Sequence, residues 1–161
     1  MSGEPTEICL DCGLCCDGSL FWAVPVDKDD PAPVARDAEG RLRQPCACFE
    51  GVCTIYEHRP AACRAFDCRV LLAVMAGQLD REAALSEIAK MRRIVEALDK
   101  ALPGNDPSVY RRASEFLSAN REELPKPAFQ RRHRPLLALL SDYEKALARF
   151  QIPPGARRKA P

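Results

Sequence analysis

CLDCGLCC at residues 9–16 and CTIYEHRPAACRAFDC at residues 53–68 hold seven of the nine cysteines in this chain. The other two, Cys46 and Cys48, stand just upstream of the second stretch, so the thiols fall into three groups: Cys9, Cys12, Cys15 and Cys16; Cys46, Cys48 and Cys53; Cys63 and Cys68. A two-residue spacer lets two sulfurs turn onto one cation, and thiolate sulfur suits zinc and the iron of iron–sulfur clusters, whereas calcium and magnesium call for oxygen ligands. In an extended segment neighbouring side chains leave on opposite faces. Adjacent Cys15 and Cys16 are therefore expected to serve two centres or one cluster rather than a single tetrahedral ion. Eight thiolates fill two four-ligand sites, so nine leave one over. Cys9, Cys12 and Cys15 also match the first three ligands of a bacterial ferredoxin run, but Cys16 falls where that run has a three-residue gap and a Cys-Pro. Zinc and an iron–sulfur centre both stay open at this point.

Composition favours metal over disulfides. The start, MSGEPTEICLDCG, has neither a basic nor an apolar export region, and no apolar run approaches the length of a bilayer span. A soluble cytoplasmic protein is expected, and in a reducing compartment a dense set of cysteines points to thiolate–metal chemistry. With 24 basic and 23 acidic residues the net charge is +1, which supplies no field toward nucleic acid or an anionic membrane. The partners expected are metal ions, with no membrane and no nucleic acid; nothing in the sequence names a protein partner.

All nine cysteines precede Arg69, and the 93 residues after Cys68 contain none. At 161 residues we expect one structural unit with two unequal parts: a cysteine-cluster metal-binding region over 1–75 and a helical region over 76–161 packed on it. The fold class is mainly α, with a small irregular metal-stapled N-terminal part of short strands and loops around the cysteine cluster. Proline and acidic residues between Phe21 and Gln44 predict a loop with short strands at most, anchored by Phe21, Trp22 and Val24. Phe49–Val52 predicts a tight turn leading into a short strand over Cys53–Tyr56, with Pro60 starting a helical turn. Beyond it, a short helix over Arg69–Ala76 is closed by Gly77. Asp80 caps the next, whose Leu85, Ile88, Met91, Val95, Leu98 and Leu102 recur at steps of three or four. Pro103-Gly104 stops it; Asp106-Pro107 starts a third with Val109, Ala113, Phe116 and Leu117, broken again at Leu124–Pro127. A fourth runs from about Pro135 with Leu136, Leu140, Tyr143, Leu147 and Phe150, until Pro153-Pro154-Gly155 and a frayed ARRKAP tail.

The two motifs in this order, with the Cys-x-Ile-Tyr-Glu-x-Arg-Pro core at residues 53–60, resemble the YkgJ-type cysteine cluster family, a CxxCxxCC domain described as zinc- or iron-chelating. The resemblance covers residues 9 to 75. It implies a ligand set of Cys9, Cys12, Cys15 and Cys16 in the first motif, Cys46 in the middle, and Cys53, Cys63 and Cys68 in the last. Cys48 departs from the family pattern, where an apolar or small residue is usual, so the resemblance makes Cys48 the spare sulfur. The family implies metal chelation without fixing the metal or its purpose.

Around the thiols, Arg59 and Arg64 are expected to donate to sulfur or carbonyl oxygen and offset the charge of a thiolate centre rather than to bind substrate. Tyr56 reads as a hydrogen-bonded packing residue, His58 as a partly exposed histidine rather than a ligand, and His133 as part of a solvated basic stretch, QRRHRP. The expected function is a metal-binding protein that holds zinc or an iron–sulfur centre, with no catalytic constellation evident. Two alternatives stand beside it: iron–sulfur electron transfer, and an enzyme related to flagellin lysine N-methylases, to which the family resemblance extends. For the enzyme the sequence offers no glycine-rich strand–turn–helix to hold S-adenosylmethionine.

Overall fold

The computed structural model describes residues 5–151; the expected Pro153–Gly155 stop and ARRKAP tail lie outside the described residues. About half of the chain is helical and the strands amount to one small two-stranded sheet, so the protein is mainly α. Among the described residues no helix is long and apolar enough to cross a membrane.

Helices after Cys68 begin and end where local chemistry dictates. Arg69–Met75 forms α3 (the third helix of the chain), with Gly77 at φ 67° just past its end, the left-handed conformation that a helix stop favours. Arg81–Ala101 forms α4, capped by Asp80, whose carboxylate accepts from the Ala83 amide at 2.7 Å. It buries Ala84, Ile88, Met91 and Leu98 along one stripe. The helix Val109–Ala119, α5, starts at Ser108 rather than at Asp106-Pro107. The Asp106 carboxylate is already engaged by the Ser108 amide at 2.9 Å, which leaves the Ser108 hydroxyl to cap the Arg111 amide at 3.2 Å. Leu117, expected on its inner face, is exposed.

The Pro125–Pro127 break does more than end a helix. Pro127 occupies the first turn of a short helix, α6 (Pro127–Arg132), a position that needs no amide proton. His133 then joins it to α7 (Arg134–Phe150) and stacks on Phe129 with ring centroids 4.3 Å apart, against Phe116 at 5.8 Å. The rest of the QRRHRP stretch is exposed, as expected, while His133 itself is half-buried against the two rings.

The N-terminal part departs further from expectation. Pro5–Cys12 forms a helix, α1, where loops and short strands were expected around the cysteines. Ala23–Pro25 (β1) and Arg41–Arg43 (β2) pair antiparallel with Val24 opposite Leu42, closing the proline-rich loop into a small ribbon. The strand expected over Cys53–Tyr56 is absent. Cys53 makes one isolated bridge with Phe49, and a 3-10 turn over Tyr56–His58 carries the chain to Pro60 and the single-turn helix α2 (Ala61–Arg64). Of the three expected anchors, Phe21 packs edge-on to Phe66 at 5.3 Å and Val24 lies against the small inner cluster. Trp22 is half-buried beneath the guanidinium groups of Arg41, Arg43 and Arg111.

Two hydrophobic clusters result. The larger unites sixteen buried residues from α1 and the turn after it through α3, α4, α5 and α7, including Ile8, Leu14, Leu20, Met91, Leu98 and Phe150. The smaller contains only Val26, Leu42 and Cys46, with the Phe49 ring and Val24 packed against it.

Candidate metal centre

Cys9 and Cys12 lie three residues apart on α1 and therefore share one face of it. Gly13 ends α1 at φ 63°, and a Cβ there would run into the Phe49 ring, so the position requires glycine on both counts. The Gly13 carbonyl accepts from the Cys16 amide at 2.8 Å and the Asp17 amide at 3.0 Å, which folds residues 13–17 into a turn. Cys15 and Cys16 consequently sit in a turn and not in the extended segment assumed from sequence, and their sulfurs lie 3.7 Å apart.

The other thiols come from three further segments. Cys68 caps α3, its sulfur accepting from the Leu71 amide at 3.4 Å, and α3 packs on α1. Cys46 is buried; its amide donates to the Cys16 carbonyl at 2.7 Å, and its sulfur accepts from the Cys48 amide at 3.4 Å. Cys63 comes from α2, and Cys53 from the bridge to Phe49. All nine cysteines are free thiols.

Burial makes these thiols hold their protons. It pushes Cys9 and Cys63 up to about 11 and Cys12 up to about 12 from an ordinary 9.0, and it raises Cys46 and Cys68 as well. The neighbouring sulfurs add to the effect: Cys15 and Cys68 beside Cys9 and Cys12, and Cys15, Cys46 and Cys53 beside Cys63. Cys15 is raised first by its hydrogen bond with Cys16 and then by burial. Without a cation Cys9, Cys12, Cys15, Cys46, Cys63 and Cys68 keep their protons, so metal uptake by them has to displace protons.

Arg59 supplies the counter-charge. Its guanidinium lies over the Tyr56 ring at 3.6 Å, its field opposes the upward shift of both Cys9 and Cys63, and its buried Nε has no hydrogen-bond partner among the described residues. Arg64 donates to the Arg59 carbonyl at 2.8 Å. His58 is exposed and lines a surface cleft with Asp30 and Glu57.

Among the described residues no three His, Cys, Asp or Glu side chains already stand in metal-holding geometry, so a cation would have to draw the sulfurs inward. The residues nonetheless suit a thiophilic metal in their chemistry: the candidate ligands are all sulfur, and the Arg59 charge acts on Cys9 and Cys63 among them. Cys15 and Cys16 place their sulfurs in contact; Cys12, Cys15 and Cys68 pack against the large hydrophobic cluster, and Cys16, Cys48 and Cys63 against the small one.

Several residues that hold this arrangement carry no motif. The carbonyls of Gly18, Ser19 and Leu20, just past the Cys15-Cys16 turn, each accept from the helical part: the Ser108 hydroxyl at 3.0 Å, the Tyr143 hydroxyl, and the Gln151 amide at 3.0 Å. Arg92 of α4 donates to the Asp11 and Cys12 carbonyls at 2.6 and 2.8 Å and closes the C-terminal end of α1. Only α1 left a readable trace, since Pro5, Glu7 and Gly13 are ordinary helix start and stop signals. No family model matches the chain, and neither the curated proteins nor the solved structures include a match to it. The family resemblance therefore rests on the two cysteine motifs alone.

Proposed function

We propose that this chain is a metal-binding protein that holds zinc or an iron–sulfur centre through Cys9, Cys12, Cys15, Cys16, Cys46, Cys53, Cys63 and Cys68. The observation that carries the reading is a set of nine free thiols in which the Cys15 and Cys16 sulfurs lie 3.7 Å apart and the Cys46 amide donates to the Cys16 carbonyl at 2.7 Å. A reducing, cytoplasmic setting keeps such thiols available for metal, and the likeness of the two motifs to the zinc- or iron-chelating YkgJ-type family supports the same chemistry. The bound ion or cluster would supply cross-linking, and with iron also one-electron chemistry. The chain's own residues supply sulfur, burial and the Arg59 counter-charge.

Elemental analysis with an absorption spectrum on anaerobically purified protein tests this. We expect zinc with a featureless visible spectrum, or iron with the broad charge-transfer absorption of a cluster. Protein that is folded, metal-free and unable to take up either metal would sink the proposal.

A further inference from the structure

We infer that Cys15 and Cys16 form a site of reversible oxidation, closing into a disulfide between neighbouring residues when the chain meets a peroxide. The bond follows from the geometry of these two thiols alone; its consequence for metal uptake rests on the metal-binding reading above.

The turn after α1 creates the pair. In an extended segment adjacent side chains leave on opposite faces and their sulfurs cannot meet. Here the Gly13 carbonyl accepts from the Cys16 and Asp17 amides at 2.8 and 3.0 Å, and the bend brings the Cys15 and Cys16 sulfurs into a hydrogen bond at 3.7 Å. Gly13, left-handed and with no room for a Cβ beside the Phe49 ring, fixes the start of the bend. The carbonyls of Gly18, Ser19 and Leu20, held by Ser108, Tyr143 and Gln151, fix the chain beyond it. Both cysteines are half-buried, which leaves an approach for an oxidant as small as hydrogen peroxide.

Other thiols are held apart or engaged elsewhere. Cys9 and Cys12 stand three residues apart on α1, where Cβ atoms lie about 5–6 Å from each other, beyond the roughly 3.5–4.5 Å that a disulfide spans. The Cys46 and Cys68 sulfurs accept from the Cys48 and Leu71 amides, each at 3.4 Å. Among the described residues Cys15 and Cys16 are the one pair of sulfurs joined by a hydrogen bond. Neighbouring Cα atoms lie about 3.8 Å apart, closer than the roughly 4.4–6.8 Å usual across a disulfide, so the ring is strained and readily reduced. A strained bond suits a switch rather than a permanent staple.

The chemistry balances with one peroxide. One sulfur attacks it as the thiolate, the O–O bond breaks, and the sulfur becomes a sulfenic acid as the first water leaves. The second sulfur then attacks the sulfenic sulfur; the S–S bond forms, the S–O bond breaks and the second water leaves. Two thiols lose two electrons and two protons, and the peroxide is reduced to two waters. The product has withdrawn two of the proposed ligands, one packed against each hydrophobic cluster, so oxidation turns metal uptake off.

The test is peroxide treatment of the full-length, reduced, metal-free chain, followed by alkylation of the remaining thiols under denaturing conditions and tryptic mapping. The peptide ending at Lys28 carries Cys9, Cys12, Cys15 and Cys16, so the alkylation pattern within it locates the bond. We expect the nine free thiols to fall to seven, with Cys9 and Cys12 alkylated, Cys15 and Cys16 not, and all nine recovered on treatment with reduced glutathione. Cys15→Ser and Cys16→Ser should form no disulfide within the chain at the same dose. A bond between any other pair, an unchanged thiol count, or sulfinic acid at either position overturns the inference; the wild-type map decides this even where a serine variant fails to fold. Zinc affinity should be lowered by about tenfold or more in the oxidised chain relative to the reduced one. Equal uptake by the two forms overturns the switch. A reduced chain that takes up neither zinc nor iron defeats the metal-binding reading itself and leaves the bond standing.

Discussion

The two hydrophobic clusters of this protein are built on different terms. The large one buries Ile8, Leu14 and Leu20 under four helices, and sixteen side chains exclude water from one another. The small one has three buried members, one of them a cysteine, beneath a three-residue ribbon, a 3-10 turn and a single-turn helix. Burial at about 25 cal/mol per Å² holds the first together; three side chains cannot offset the roughly 1–2 kcal/mol per residue that ordering a forty-residue loop costs. Cysteine supplies one of the small cluster's three buried members and three of the side chains packed against it, Cys16, Cys48 and Cys63, while Cys12, Cys15 and Cys68 pack against the large cluster. Under the proposed function, a metal held by thiolates would be the staple where apolar area is scarce.

Metal removal should separate the two regions most. A structural zinc site contributes on the order of 10 kcal/mol, so chelation is expected to abolish amide protection over residues 21–66 while α4 and α7 keep theirs. Hydrogen exchange with and without chelator reads this directly. Equal loss in both regions would mean that the large cluster also depends on the metal, and no loss in either would mean that the small one does not.

Side-chain truncation should give the opposite ranking. Phe150 is almost wholly buried, and Phe150→Ala is expected to cost about 3–5 kcal/mol of global stability in metal-loaded protein. Val26→Ala removes two methyl groups from the small cluster and should cost about 1–2 kcal/mol, with the metal still present to hold the loops. Denaturant unfolding of both variants checks the order; comparable losses would show that the small cluster contributes as a hydrophobic core in its own right.

Legibility in the sequence follows the same line. The helical half could be read because its determinants are local: Asp80 before an apolar stripe, Gly77 after one, and leucines at steps of three and four. The cysteine half could be read as chemistry but not as shape. Its turn geometry depends on Gly13 meeting Phe49, thirty-six positions away, and on carbonyls of residues 18–20 meeting Ser108, Tyr143 and Gln151. Such pairings have no signature in spacing. The extended reading of Cys15-Cys16 failed for that reason, and the helix carrying Cys9 and Cys12 is only eight residues long, too short for an apolar stripe to mark it. The solvated reading of QRRHRP holds for its neighbours, but the packing of His133 had no local sign, because Phe116, one of the two rings it meets, belongs to another helix.

The smallest expected effect tests whether the small cluster has any support besides sulfur. Asp30, in the proline-rich loop, accepts from the Ala61 amide at 2.7 Å and from the Ala32 amide at 2.9 Å, so one exposed carboxylate ties the loop to the first residue of the helix that carries Cys63. Those two amide donors, with Arg64 and Arg36 nearby, hold its carboxyl below the ordinary 3.8. A lowered folded-state pKa means that the contact stabilises the fold above the unfolded value and is lost as pH falls through the folded one. The Ala61 amide resonance of metal-loaded wild type should therefore titrate with a midpoint below 3.8. Asp30→Asn should lack that transition, since an amide side chain does not ionise. Because the group is exposed, global unfolding should change little, and the loss should show as faster exchange at Ala61 and its neighbours. A midpoint at or above 3.8, or the same transition in Asp30→Asn, would show that the carboxylate does not anchor the helix and that the metal holds this end of the small cluster alone.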